Sequence, residues 1–317
     1  MDYVEMQEVP DLDNAILIGA FAGWNDAASA ATWAIKFLIN QWEATPFAEI
    51  EPENFFDFSE TRPRIRINNG AIRRLSWPAN RFYVHRADRT EPSRQKRDIV
   101  LFLGEEPQQR WKTFSQALLD VCRQCQVEEM VFLGALIGEV PHTAPVQVIG
   151  SASESALLRR MDRNAIERAN YEGTTGILAV VQDAARRGDF RTVSLWGTAP
   201  HYVSATPNLP VSEALLEKLD ELYHFELHLH DLSRAARRFT ARVTSLVADD
   251  PEVSAYVHEL EQRTPGDINT PTSFPAITDA SGIHHIPVDG GLPSAEQAIQ
   301  DVENWLRQFR SDGEHDS

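Results

Sequence analysis

Short apolar runs alternate with segments of helical periodicity from Ala15 to about Ala205, and this alternation limits the fold more than any other feature of the sequence. The apolar runs predict five strands: AILIGAF (15–21), DIVLFLG (98–104), EMVFLGA (129–135), VQVIG (146–150) and TVSLWG (192–197). Strands that are separated by helices and apolar on both faces are typical of a parallel sheet with helices on both sides. We therefore predict an α/β fold, a three-layer αβα sandwich with a mostly parallel sheet.

A β-rich stretch without helices follows the first strand and its helix. It contains the runs FFDF (55–58), RIRI (64–67), AIRRL (71–75) and RFYVHR (81–86). The Asn-Asn-Gly at 68–70 suits a hairpin turn, because Asn and Gly tolerate positive φ. These runs predict antiparallel hairpins at one edge of the sheet.

The last third of the chain predicts helices only. Asp231 and Asp250 are favourable helix starts, and apolar residues follow each of them at helical spacing. The segment 264–293 holds five Pro and four Gly and predicts a long loop that acts as a lid, a strap or a tether. We divide the chain into an α/β domain, residues 1–225, and a helical C-terminal extension, residues 226–317.

The net charge of the chain limits the kinds of molecule that it can bind. The chain has 30 Lys and Arg against 47 Asp and Glu, a formal net charge of −17, which argues against a nucleic-acid or anionic-membrane binder. No apolar run approaches the roughly 20 residues of a membrane span, and the acidic N-terminal sequence is not a secretory signal. We expect a cytoplasmic protein with no nucleic-acid and no membrane partner.

The charge is unevenly distributed along the chain. From Arg62 to Arg97 there are eleven basic residues and two acids, which gives +9, whereas residues 249–317 hold fourteen acids and three Arg, which gives −11. The basic segment is either a surface for an anion or a partner, or a patch that acidic regions of the same chain or of a second subunit neutralise. The complementarity of the two segments predicts a homo-oligomer.

Polar residues follow three of the predicted strands, and a fourth loop opens the helix before the last strand. In an open parallel sheet, ligands bind outside the carboxyl ends of the strands. The loops predict a ligand pocket at this edge, formed by Asn25, Asp26, His142, Thr174, Thr175, Gly176, His201 and Tyr202. The backbone N–H groups of the helix start at 173–176 could hold a small anionic ligand. The alternatives are that Asp26 and a Thr cap helices and that the histidines are solvated.

Other candidates for chemistry are weaker. Cys122 and Cys125 end a helix, where the dipole opposes thiolate formation, so we interpret them as buried structural cysteines. Ser151 with Glu154 makes a helix capping box and lacks the setting of a nucleophile. The densest histidine cluster lacks a zinc-motif spacing: His224, His228 and His230. We predict no metal and no cofactor, and leave the catalytic residues unknown and enzymatic activity open.

Four motifs occur in order along the chain: GWNDAA at 23–28, GEVPHTAP at 138–145, YEGTTGI at 171–177 and WGTAPHYV at 196–203. Together they resemble the actinobacterial branch of the proteasome assembly chaperone 2 family over about residues 10–265. The resemblance implies an αβα sandwich similar to the nucleoside phosphorylase/hydrolase-like architecture, with a helical C-terminal extension. Eukaryotic members act as chaperones of proteasome ring assembly, and the bacterial branch has no established reaction from which catalytic residues could be carried over.

Two functions therefore stay open. The first is a non-enzymatic assembly or interaction protein with a protein partner, which the family resemblance supports. The second is a binder of a nucleoside-like or anionic small molecule, or a phosphorylase- or hydrolase-like enzyme, which the loop cluster and the implied fold support. A trimer or a multiple of it is the preferred oligomer, by analogy with the phosphorylase-like architecture alone.

Overall fold

A computed structural model describes residues 2–68, 71–87, 97–203 and 207–263. Its strands are β1 (Val4–Met6), β2 (Ala15–Ala22), β3 (Thr45–Ile50), β4 (Arg64–Asn68), β5 (Ala71–Ser76), β6 (Asn80–His85), β7 (Ile99–Glu105), β8 (Val127–Gly138), β9 (Val148–Ala152), β10 (Glu167–Arg168) and β11 (Arg191–Pro200). Its helices are α1 (Ala30–Gln41), α2 (Trp111–Gln124), α3 (Ser155–Arg163), α4 (Ile177–Arg187), α5 (Leu209–Tyr223), α6 (His230–Ala248) and α7 (Pro251–Gln262).

Nine strands form the main sheet, in the order β1-β3-β6-β7-β2-β8-β11-β9-β10. The four central strands, β7, β2, β8 and β11, run parallel to one another. The chain passes from β2 to β7 on one side and later to β8 on the other side, so β2 lies at the topological switch point. The predicted α/β fold with a parallel central sheet is confirmed, although β9 runs antiparallel to β11.

Helices cover both faces of this sheet, as the three-layer prediction requires. Along β2, Ile16 and Ile18 pack in one apolar core with side chains of α1, α5 and α6. Leu17 and Phe21 pack in a second core with side chains of α2 and α4. The division follows because successive side chains of a strand point to opposite faces of the sheet. None of the described helices combines the length and apolar character that a membrane span requires.

The predicted antiparallel hairpins occur in two places. β1, β3 and β6 extend the main sheet with antiparallel pairing, and β4 and β5 pair with each other in a separate two-stranded sheet. The prediction of a strand at 55–58 is wrong, because this segment forms turns in which the N–H groups of Phe55 and Phe56 both donate to the carbonyl of Pro52. The turn buries both adjacent rings, which an alternating strand would send to opposite faces.

The C-terminal helices begin close to the predicted positions, with different caps. Asp250 accepts hydrogen bonds from the N–H groups of Glu252 and Val253 and caps α7 as predicted. Asp231 lies in the first turn of α6 and makes no side-chain cap there. α6 packs in the same apolar core as α5, and the division of the chain at residue 225 stays a prediction. The predicted loop at 264–293 lies outside the described residues.

Of two smaller expectations, the one for the cysteines agrees with the structure and the one for the capping box does not. Cys122 and Cys125 are free and buried, as expected of structural cysteines, and burial raises the pKa of both thiols. The capping box at 151–154 is wrong, because the hydroxyl of Ser151 shares a hydrogen bond with that of Ser194 on β11 at 2.8 Å. The side chain of Ser151 therefore bonds to the neighbouring strand β11 and does not cap α3.

Candidate functional site

The carboxyl ends of the central strands gather the predicted site residues into two groups. The first group, the switch-point niche, surrounds the turn after β2 and holds Asn25, Asp26 and Gly176. The second group, the histidine niche, follows β8 and β11 and holds His142 and the two residues after Pro200, His201 and Tyr202. Thr174 and Thr175 lie on the exposed part of the loop that leads into α4.

Glu106, the first residue after β7, organises the switch-point niche. One carboxylate oxygen accepts hydrogen bonds from the N–H of Ile177 at 2.7 Å and from the side-chain amide of Asn25 at 3.1 Å. The other oxygen accepts from the N–H of Trp24 at 3.3 Å. Ile177 is the first residue of α4, so the carboxylate caps that helix from a different part of the chain. Burial raises the pKa of Glu106, and these three donors oppose the rise.

The sequence predicts an anion site at the start of α4. In the structure, the carboxylate of Glu106 occupies this position. Gly176 permits this contact, because a Cβ there would lie 2.6 Å from the Glu106 carboxylate and from the Asn25 amide. The neighbouring Thr174 uses its carbonyl to accept a hydrogen bond from the hydroxyl of Tyr171. Binding of an external anion at this position stays a prediction, and it requires Glu106 to move.

Asp26 caps α1 from the same turn. Its carboxylate accepts hydrogen bonds from the N–H groups of Ala31 and Thr32 and from the Thr32 hydroxyl. The chain reaches this geometry through Ala28 and Ser29, which both have positive φ. Burial raises the pKa of Asp26 to about 6, because desolvation outweighs the hydrogen bonds. The capping alternative therefore describes what Asp26 does in this structure.

His142 is the centre of a closed hydrogen-bond network in the histidine niche. The hydroxyl of Thr244 donates to the carbonyl of Thr240, so it accepts the proton that His142 Nε2 donates across 3.0 Å. Neutral His142 then has a bare Nδ1, which accepts from the Tyr202 hydroxyl at 2.8 Å. The Tyr202 oxygen in turn accepts from the backbone N–H of His142 at 2.7 Å. Burial lowers the pKa of His142, which favours this neutral form.

α7 lies over the second histidine of the niche. The ring of His201 makes edge contacts with the rings of Tyr202 and Tyr256, at centroid distances of 5.4 and 5.5 Å. The hydroxyl of Thr143 donates to Glu261. A salt bridge between Arg263 and Glu139, at 2.6 Å, joins the end of α7 to the same loop. His142 and His201 thus share one edge of the sheet, and the C-terminal helices contact both.

Glu106 is the site residue that the sequence reasoning missed. The predicted site residues lie in the loops after β2, β8 and β11 and before α4, whereas Glu106 follows β7, which ends at the same edge. A buried strand that ends in Glu-Glu-Pro at 105–107 was the available signal. Within the described residues, no group of three or more His, Cys, Asp or Glu side chains is arranged to hold a metal ion.

Comparison with known proteins gives a family and several structural relatives. The model of the PAC2 family matches residues 20–247. A proteasome-assembly chaperone homologue of Mycobacterium tuberculosis is 38% identical, with 76% of this chain and 99% of that chain covered and a TM-score of 0.68. A PAC2 family protein of Streptomyces avermitilis is 39% identical, with 77% and 99% covered and a TM-score of 0.69.

More distant structures share the fold alone. An archaeal proteasome activator of Pyrococcus furiosus is 16% identical, with 78% of this chain and 99% of that chain covered and a TM-score of 0.61. The sequence matches no protein whose function has been curated. The family resemblance of the four motifs is confirmed by the match over residues 20–247.

Proposed function

The chain belongs to the PAC2 family, and from this premise we propose that it is a non-enzymatic protein-binding module that assembles with copies of itself and with a proteasome. The relative from M. tuberculosis is named as a proteasome-assembly chaperone homologue, and the archaeal protein of the same fold is named as a proteasome activator. Both names refer to the proteasome, which is a large protein assembly.

One observation carries the protein-binding proposal: the β4–β5 hairpin exposes an apolar face. Ile65 pairs directly with Leu75 across the hairpin, so the two side chains share that face. Ile67 follows Ile65 by two residues on β4, and Trp77 is the residue directly after β5. All four side chains are about half exposed. Exposed large apolar side chains that are clustered on one face mark interaction sites far more often than single exposed ones do.

Charge favours a second copy of the chain as the first occupant of this face. The hairpin belongs to the segment with a charge of +9, whereas residues 249–317 carry −11. In the described part of that acidic segment, Asp249, Glu252, Glu259 and Glu261 are exposed on and beside α7. A contact between the hairpin of one copy and this acidic end of the next is head-to-tail, and such contacts close into rings when the rotation permits.

The contacts at the carboxyl edge favour this proposal over a phosphorylase- or hydrolase-like enzyme. Glu106 occupies the α4 helix start, and both ring nitrogens of His142 are hydrogen-bonded, one to Tyr202 and one to Thr244. The α4 helix start holds a carboxylate, which repels phosphate. Lys36, a cation that interacts with Asp26, also interacts with the carboxylate of Glu105.

Light scattering at low micromolar concentration tests self-assembly directly. The double substitution Ile65→Ser with Leu75→Ser should convert an oligomer into a monomer, because it removes the paired apolar side chains at the centre of the face. Val9→Ser is the matched control, since Val9 is 46% exposed but lies outside the hairpin. A monomeric parent protein, or a double variant that keeps the parent mass, would contradict self-assembly through the hairpin.

Proteasome binding needs its own experiment. Purified proteasome core particles and this protein are mixed and separated by size, and the same double variant is compared with Val9→Ser. Co-migration that the hairpin substitutions abolish supports the proposal. If the double variant still co-migrates, the proteasome binds a surface other than the hairpin. If the parent protein does not co-migrate, the proteasome part of the proposal is overturned, and self-assembly is judged from the mass of the protein in light scattering.

A further inference from the structure

A cavity of about 300 Å³ opens beside the histidine niche, between the carboxyl ends of β8 and β11 and the helices α5 and α6. Its inner wall is apolar and buried, and includes Val203, Val211, Phe239 and Val243. A concave, mostly apolar space of this size with a few polar groups at its rim is typical of a site for a small ligand.

The polar side chains of the wall differ in what they can offer a ligand. Thr240 donates its hydroxyl proton to the carbonyl of Ala236, one turn earlier in α6. His142 is engaged by Tyr202 and Thr244, as described above. Thr240 and His142 thus use their polar groups largely within the protein, and most of the other lining residues are apolar. Shape and apolar surface therefore dominate recognition by the wall.

The mouth carries the one formal charge among the described lining residues. Glu167 is exposed there, and one of its carboxylate oxygens accepts a hydrogen bond from the amide of Gln147 at 2.9 Å. A carboxylate has about four acceptor positions, so a second donor has room to bind. The residues lining the described cavity include no Lys and no Arg. An anionic ligand would therefore meet a carboxylate with no compensating cation, whereas a cationic head group would be paired.

We infer that this cavity binds an alkylammonium group, with the apolar chain held between α5, α6 and the strand ends and the ammonium paired with Glu167 at the mouth. This site is distinct from the switch-point niche and from the apolar face of the hairpin. The site prefers a cationic ligand, whereas the sequence predicts an anionic ligand at this edge of the sheet. The same chemical group occurs in free alkylamines and in lysine side chains.

A matched series of three ligands tests the charge preference. Hexylamine, hexanol and hexanoate have the same apolar chain and differ in the charge of the head group. Titration calorimetry should show hexylamine binding at least tenfold more tightly than hexanoate, with hexanol between them. Glu167→Gln should bring hexylamine to the level of hexanol. Glu172→Gln, which removes an exposed carboxylate outside the cavity, should leave the order unchanged.

Two variants test the location of the site. Val243→Phe fills the inner cavity, and Ala144→Trp covers the exposed mouth without disturbing a buried position. Both should abolish hexylamine binding. The inference is overturned if hexylamine and hexanoate bind equally well, or if none of the three ligands binds. It is also overturned if both variants still bind hexylamine as tightly as the parent protein does.

A capped lysine distinguishes the source of the group. Nα-acetyl-lysine methylamide carries the chain and the ammonium on a peptide backbone. Binding of hexylamine in preference to the capped lysine assigns the cavity to a free amine, and the reverse preference assigns it to a lysine of a protein partner. Both results support the site, and they are read in the same titrations.

Discussion

Two carboxylates near opposite edges of the central sheet, Glu129 and Glu106, are held by different kinds of partner. At the amino edge, Glu129 on β8 is 3% exposed and is surrounded by cationic side chains. Arg160 lies 2.9 Å away, Arg97 3.6 Å and Arg191 3.7 Å. At the carboxyl edge, Glu106 is held by two backbone N–H groups and an amide.

The difference follows from the direction of the helices. In this parallel arrangement, α4 begins at the carboxyl edge of the sheet and α2 and α4 end at the amino edge. Helix starts present unsatisfied N–H groups and a partial positive charge, which suit a carboxylate. Helix ends present carbonyl groups and a partial negative charge, so cationic side chains stabilise a carboxylate beside them, and basic residues occupy the last turns of both helices. The direction of the nearby helices thus accounts for the different partners of Glu129 and Glu106, whereas Asp98, directly before β7, accepts hydrogen bonds from the N–H groups of Asp13 and Ala87.

The largest expected effect is at the amino edge. Glu129→Gln should lower the free energy of unfolding by about 3 kcal/mol, because it leaves three partly buried arginines without their shared counter-charge. The Tyr223 hydroxyl, which donates to Glu129 at 2.5 Å, keeps an acceptor in this variant. Urea denaturation measures the change. Glu128→Gln is the control, since the exposed Glu128 pairs with Arg191 at the surface and should contribute less than about 1 kcal/mol. Equal effects of the two variants would contradict the ionic account of this edge.

A smaller effect is expected at the carboxyl edge. Glu106→Ala should cost about 2 kcal/mol, because it removes the acceptor of the N–H groups of Trp24 and Ile177. Glu106→Gln keeps one acceptor oxygen and should cost less. Inorganic phosphate should raise the melting temperature of the Ala variant and leave the parent protein unchanged, because the open helix start can then accept an external anion. The same phosphate response in both proteins would show that Glu106 does not occupy an anion position.

The smallest effect concerns the pH dependence of the histidine niche. Burial lowers the pKa of His142 below its ordinary 6.5 in the folded chain, so the unfolded chain binds a proton first as the pH falls. The contribution of His142 to stability should therefore be complete above pH 6.5 and decline as the pH falls below it. His142→Gln should remove this part of the decline. A slope that is identical in the variant would assign the decline to other groups.

Nitrogen chemical shifts would test the histidine niche without substitutions. A proton on Nε2 of neutral His142, detected by nitrogen chemical shifts, is expected from the bonds to Thr244 and Tyr202. Nδ1 as the protonated nitrogen would mean that the Tyr202 hydroxyl points elsewhere and that the network is open.

The local pattern of the sequence determined the layers and the central strands. Continuous apolar runs predict buried strands wherever both faces of a sheet are covered, and the runs that became β2, β7, β8 and β11 have this property. The short-range cap at Asp250 was also predictable, because its partners follow it by two and three residues. The convergence of the loops with His142 and His201 needed only the rule that parallel strands end at one edge.

The tertiary structure decided the partners of these residues. Glu106 caps a helix that begins 71 residues later, and His142 bonds to a residue 102 positions away on α6. Phe55 packs as part of a turn against Phe114 of α2, which no local periodicity indicates. Sequence periodicity fixes which face of a segment is apolar, since that depends on neighbours within a few residues. The partner of a polar side chain depends instead on which distant segment packing brings within about 3 Å, and that is settled only when the whole chain is folded.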